Sequence, residues 1–341
     1  MLGALLAVVG SAWFGFNNAS VRRGVLTGSV LQALAITVPI GVPLFFIGAV
    51  ISGQLFNFSD LSVLKSLSLA AGGVAHFVLG RYCNYRASKA MGANRAAPIL
   101  QVNLLLTLAL AIIILDDFLT PLKLLGIGLI LAGPTVMIRR GKKKESQPRP
   151  APSGGSGSEG AGPALPKEKL VFVPNLREGY TFAILSSFGY TLSPIFVRYG
   201  LRDTDLSLLG GLISYAAAAV VIGLVLLLPG KWAHVRSMDR TVSPWFLRAG
   251  VAVFFSQMFR YMALSMAPVT VVAPLMRLSL VFRVVFAWIL NREYETFETK
   301  VLLGIGVSMI GALALGISLD LVVDNVPLPD FLVRASEWRW P

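Results

Sequence analysis

Val21-Arg22-Arg23-Gly24 recurs as Val197-Arg198-Tyr199-Gly200, displaced by 176 residues. The same displacement carries Tyr85 onto Tyr261, Ala97-Pro98 onto Ala273-Pro274 and Asp117 onto Glu293. Further along, Gly126-Ile127-Gly128 followed by Gly133 recurs as Gly304-Ile305-Gly306 followed by Gly311, displaced by 178. The loop before that helix has therefore gained two residues in the second copy. One shift held over four separate segments marks an internal duplication, which is a common signature of secondary transporters when the repeated unit is hydrophobic.

The repeated unit is hydrophobic throughout. Of 341 residues, 55% are hydrophobic and only 14% charged, with a mean hydropathy of +0.72. Soluble domains carry about 25% charge, so the composition is that of a membrane protein. Runs long enough to cross a bilayer, ~20 residues each, lie at about 2–20, 28–51, 67–88, 96–115, 122–138, 178–197, 207–228, 246–266, 270–290 and 301–319. Their lack of period-two alternation excludes a β-barrel. The expected fold is an all-α integral membrane protein with ten transmembrane helices. Met1–Phe16 lacks a basic leader and is needed to match Gly179–Phe196, so it reads as a retained first helix.

Five spans per copy is an odd number, so the second copy enters the membrane from the opposite face. The expected organisation is a pair of inverted five-helix repeats, at 1–140 and 170–320. Between them lies a Gly-, Ser- and Pro-rich stretch, 141–169, expected to be a disordered linker. A short tail follows at 321–341. The positive charge is concentrated in short loops, with a dense block at Arg139, Arg140, Lys142, Lys143 and Lys144. Charges so placed set topology or touch anionic lipid, so the net +13 does not point to nucleic acid. The charge count puts the linker in the cytoplasm and both termini outside a plasma or inner membrane.

These features resemble the EamA-type branch of the drug/metabolite transporter superfamily over about 2–320. The similarity rests on Trp13-Phe14-Gly15 running into Asn17 and Asn18 and on the Ala-Pro openings at Pro98 and Pro274. It rests also on Asp117 and Glu293 closing those helices, and on the Gly-x-Gly helix after each. The resemblance implies two inverted repeats around a central solute cavity, transport of metabolites, amino acids or drugs, often outward, and both termini in the cytoplasm. That last implication opposes the charge count, which we follow because five clustered cations are costly to translocate.

Ionisable groups in mid-span are costly and are functional candidates for that reason. The third span holds His76 and Arg81, and the ninth holds Arg277 and Arg283, while every acid in the spans sits at a helix end. Arginine stays charged in proteins. The spans therefore carry cations without mid-depth acids, which points to a cavity preferring anions, with Arg277 and Arg283 as its leading charges. At 100° per residue Ser279 shares the face of Arg283. The repeat-one counterparts of Arg277, Ser279 and Arg283 are Gln101, Asn103 and Thr107, so the same columns are polar in both copies. Trp13 and Asn17 share a face of the first helix, and Pro98 and Pro274 are expected to loosen the helix starts for conformational change. Arg86 and Arg260 are expected to reach the membrane surface. Helix-start electrostatics at the turns into the fifth and tenth helices are expected to account for Asp117 and Glu293.

With two His and one Cys, neither a catalytic metal site nor a disulfide is expected, and no cofactor motif occurs. The expected partners are a small-molecule solute, the lipid bilayer and a coupling ion that the sequence does not specify. The Gly126/Gly133 and Gly304/Gly311 faces suit close packing within one chain or in a homodimer. The leading expectation is a secondary transporter, exporting small organic solutes that bear carboxylate or phosphate groups. Neutral or zwitterionic solutes such as amino acids are the first alternative. A non-transporting scaffold or lipid-handling protein is the second.

Overall fold

The computed structural model describes residues 2–25, 28–91, 93–138 and 175–291, with single positions between 303 and 314. The expected linker 141–169, the tail, Glu293 and most of the tenth span lie outside the described residues.

All regular elements among the described residues are helical. Helix α1 spans Leu2–Val25, continuing past the expected end of the first run. The second run is split into α2 (Val30–Thr37) and α3 (Gly41–Ile51). Pro39 lies in the break and lacks the N–H that would continue the ladder. Ser29 and Gln32 start α2 with reciprocal bonds: Ser29 Oγ accepts from the Gln32 N–H at 3.2 Å and Gln32 Oε1 accepts from the Ser29 N–H at 2.8 Å. The third run comprises α4 (Val63–Gly73), a π-helical stretch at Val74–Gly80 and α5 (Arg81–Met91). Helices α6 (Ala93–Leu115) and α7 (Pro121–Ile138) complete the first half.

The second half repeats the order: α8 (Leu176–Leu201), α9 (Ser207–Leu226), the short α10 (Lys231–Arg236) and α11 (Ser243–Met266). The next run is broken into α12 (Val269–Leu275), a 3-10 turn at Met276–Leu278 and α13 (Ser279–Asn291). Among the described residues, five stretches are long and apolar enough to cross a membrane: Leu2–Val21, Val30–Ile51, Val63–Ala87, Leu176–Leu201 and Ser207–Leu226.

Packing exchanges the two halves. Helix α1 lies mainly against α11 and α13, while its counterpart α8 lies mainly against α4, α5 and α6. Each half thus threads its first helix into the third and fourth runs of the other. Small residues permit the approach. A Cβ on Gly10 would stand 3.1 Å from the Ser256 carbonyl oxygen, and one on Gly15 would stand 2.7 Å from the backbone nitrogen of Arg283. Close backbone contact of this kind substitutes for a hydrophobic driving force inside a bilayer.

The π-helical stretch is held the same way. Gly73 presses on the backbone of Ser214 in α9, and a Cβ on Gly189 of α8 would stand 2.6 Å from Ala75 O and 2.7 Å from Gly80 N. The counterpart run in α11 is regular α-helix. Widened turns are frequent at functional sites, and this one carries His76 and leads directly into Arg81.

Candidate solute-binding site

His76 and Arg81 lie in the third run where the halves meet, and His76 contacts residues of α8 and α11. Both are almost wholly enclosed, and Arg81 retains 2% of its surface. Arg260 of α11 is also buried, at 5%, and does not reach the membrane surface as the sequence suggested. Its NH1 donates to Gln257 Oε1 at 2.8 Å and its NH2 donates to Ser193 Oγ at 2.9 Å. The same NH1 faces His76 Nδ1 at 3.5 Å, and Gln257 Nε2 faces His76 Nε2 at 3.3 Å. These contacts join the third run of one half to the first and third of the other.

Aromatic rings close the cluster. His76 packs edge-on against Phe77 and Tyr190 at centroid distances of 4.8 and 5.1 Å, and Phe77 meets Tyr215 at 4.2 Å. Arg81 stands over the Phe77 ring at 5.3 Å and within electrostatic range of Tyr85, Tyr190 and Tyr215. Among the described residues, no Asp or Glu contributes to this environment.

The other expected site residues surround this centre unequally. Arg277 sits half-buried in the 3-10 turn after Pro274, within range of Tyr190, and half-buried Arg283 is within range of Tyr85. The 3-10 turn separates Arg277 from α13, the helix that carries both Ser279 and Arg283. Ser279 opens α13 and is buried. Asn103 and Thr107 are buried on α6, where the Asn103 carbonyl accepts from Thr107 Oγ1 at 2.7 Å and from Thr191 Oγ1 at 3.2 Å. Asn17 is buried with its Oδ1 unbonded. Trp13 stacks on Phe255 at 4.8 Å. Pro98 lies within the continuous helix α6, whereas Pro274 immediately precedes a break. The side chains of Gln101 and Pro98 lie outside the described residues.

Charged groups nearer the helix ends have identifiable partners. Arg86 pairs with Glu178, joining α5 to the start of α8. Arg198 donates to the carbonyls of Leu264 and Ser265, at 2.7 and 2.9 Å, near the C-terminus of α11. Asp117 Oδ2 accepts from the Thr270 N–H at 3.1 Å. Its electrostatics do serve a helix start, but that of α12 in the other half rather than α7, the next helix in sequence.

Gln257, Arg260, Ser193, Tyr190 and Tyr215 were absent from the residues expected at the site. One signal did point to Gln257 and Arg260. The repeat displacement sets Arg81-x-x-Asn84-Tyr85 against Gln257-x-x-Arg260-Tyr261, an arginine and an amide exchanged between equivalent positions.

The EamA-like transporter family matches residues 1–139 and, a second time, residues 177–317. The chain belongs to the EamA-like transporter family. Its two family matches coincide with the two halves of the fold and omit the connecting stretch. Sixteen solved chains match it as well. One of these, a crystal structure, aligns with a TM-score of 0.60 at 16% identity, covering 92% of this chain and 94% of the other. At that identity the likeness speaks for the fold alone. No curated protein matches the chain. As an EamA-like transporter it is a multi-pass membrane protein that handles small solutes, and the Arg81–His76–Arg260 centre lies where its two repeats meet.

Proposed function

We propose that this EamA-like chain is a secondary transporter that exports small organic solutes bearing a carboxylate or phosphate group. Ten spanning helices, five in each of two inverted repeats, alternate between two arrangements and open the centre to each side in turn. The central linker faces the cytoplasm. The observation that carries the anionic preference is a buried centre with two arginines and, among the described residues, no acid beside them. Buried charges are normally paired, and a solute anion is the partner that such a centre accepts.

Arg277 and Arg283 extend the positive wall, Ser279, Asn103, Thr107, Gln101 and Asn17 supply neutral hydrogen-bonding groups, and Trp13 supplies an aromatic face. The helix break after Pro274 supports a hinge in the second repeat. One observation favours zwitterionic or neutral solutes instead: Arg260 is already engaged by Gln257 and Ser193, as a scaffold arginine would be. Uptake of labelled anionic, zwitterionic, neutral and cationic metabolites into proteoliposomes separates the readings. Anions are expected to enter faster than their uncharged isosteres. Uptake confined to neutral or zwitterionic solutes would remove the anionic preference, and uptake of none would favour a scaffold.

A further inference from the structure

Two buried arginines share the centre, and of these only Arg260 has side-chain hydrogen-bond partners among the described residues. Arg260 spends its terminal nitrogens on Gln257 and Ser193 and faces His76. Arg81 is as deeply enclosed, yet among the described residues neither its NH1 nor its NH2 has a hydrogen-bond partner. Several polar groups of the centre are engaged elsewhere. Gln257, the repeat counterpart of Arg81, gives its Oε1 to Arg260, and both ring nitrogens of His76 face donors on Gln257 and Arg260. Asn84, the counterpart of Arg260, is bonded to Tyr190. Among the described residues, no carboxylate supplies Arg81 with a charged acceptor. The Phe77 ring beside Arg81 attracts the cation but cannot accept its two directed N–H bonds as an oxyanion can.

We propose that Arg81 is the docking point for a bidentate oxyanion, the carboxylate or phosphoryl group of the transported solute, and that Arg260 is a positioning residue that keeps His76 and Gln257 occupied. This assignment rests on the anion-transport reading above and moves its principal contact from the ninth run to the third. The terminal nitrogens of a guanidinium form a planar fork that matches two oxygens of one carboxylate or phosphate, which a lysine ammonium cannot reproduce. Binding there supplies the buried positive charge with the acceptors that the protein withholds.

Thermal unfolding of the purified full chain at constant ionic strength tests the assignment, with benzoate, phenylphosphonate and uncharged benzamide as probes. A ligand that binds the native state raises Tm with the logarithm of its concentration. Benzoate or phenylphosphonate is expected to stabilise the wild type and benzamide is not, and the better of the two oxyanions distinguishes a carboxylate from a phosphoryl solute. Arg81→Gln is expected to lose the response while its ligand-free Tm rises, because an unpaired buried charge has been removed. Arg81→Lys keeps the charge without the fork and is expected to weaken oxyanion binding roughly tenfold or more. If Arg81→Gln does not fold, Arg81→Lys alone decides. An undiminished response in either Arg81 variant, or a response abolished only in Arg277→Gln, overturns the assignment and leaves the anion reading standing. No stabilisation of the wild type by either oxyanion overturns both.

Discussion

Ser193 shows how much one hydroxyl can carry inside a bilayer. It is the repeat counterpart of Asn17, is fully buried, and accepts from the Arg260 guanidinium at 2.9 Å. Ser193→Ala would leave a charged donor buried and unsatisfied, at a cost of about 1–3 kcal/mol. The expected outcome is a lower unfolding midpoint in detergent, with Ser193→Thr restoring most of it because the acceptor oxygen returns. A full-length wild-type midpoint in Ser193→Ala would mean that Arg260 finds another acceptor. The Ser193 contact was not legible as a contact in the sequence. Its position was, because the duplication pairs it with Asn17 on the first helix of the other repeat. Its distance to the helix end suggests that Arg260 reaches the membrane surface, but depth along a helix does not say which face is covered by neighbours.

At the scale of elements, Asp117 fastens the first repeat to a helix terminus of the second, and Arg198 fastens two helices within the second. Asp117 accepts from the start of α12, and Arg198 donates to carbonyls at the end of α11, so each side chain meets the helix end whose partial charge it complements. Asp117 lies in the turn between α6 and α7. Burial pushes its carboxyl above the usual carboxylate range, against the opposing effects of the Thr270 N–H and of Arg198 and Lys123. A raised carboxyl favours the protonated form in the folded state, so its contribution to stability is present at low pH and is lost as pH rises through the raised value. Asp117→Asn keeps an acceptor for the Thr270 N–H and is expected to flatten that part of the pH–stability curve. Asp117→Ala removes the cap and is expected to cost about 1 kcal/mol, read as a lower midpoint at neutral pH. An unchanged pH slope in Asp117→Asn would show that another group titrates there.

The π-helical stretch is a second element whose position depends on its neighbours. Gly189→Ala would drive a methyl group to 2.6 Å from the Ala75 carbonyl oxygen and 2.7 Å from Gly80 N. Two backbones would have to move apart. We expect loss of folded protein, or of oxyanion binding if the helix shifts instead, with Gly128→Ala, where nothing stands within 4 Å, as the tolerated control. Sequence periodicity showed the third run as one span from 67 to 88. It did not show the widened turn, because that turn arises where α8 and α9 press on it.

For the whole molecule, orientation is the property that the fold leaves open to direct test. A cysteine introduced as Ser153→Cys in a Cys83→Ser background is expected to react with a membrane-impermeant maleimide only after cells are broken, given a cytoplasmic linker. Labelling of intact cells would instead place both termini in the cytoplasm, as the family resemblance implies. Membrane residence, the duplication and the excess of cations over acids within the apolar runs were determined by sequence alone, because they depend on composition, spacing and charge along the chain. Tertiary structure decided which arginine is engaged and which, among the described residues, has terminal nitrogens without a hydrogen-bond partner. That difference arises from a few contacts across 67–184 residues of sequence, which only the packing of α8 and α11 against the third run brings within bonding distance.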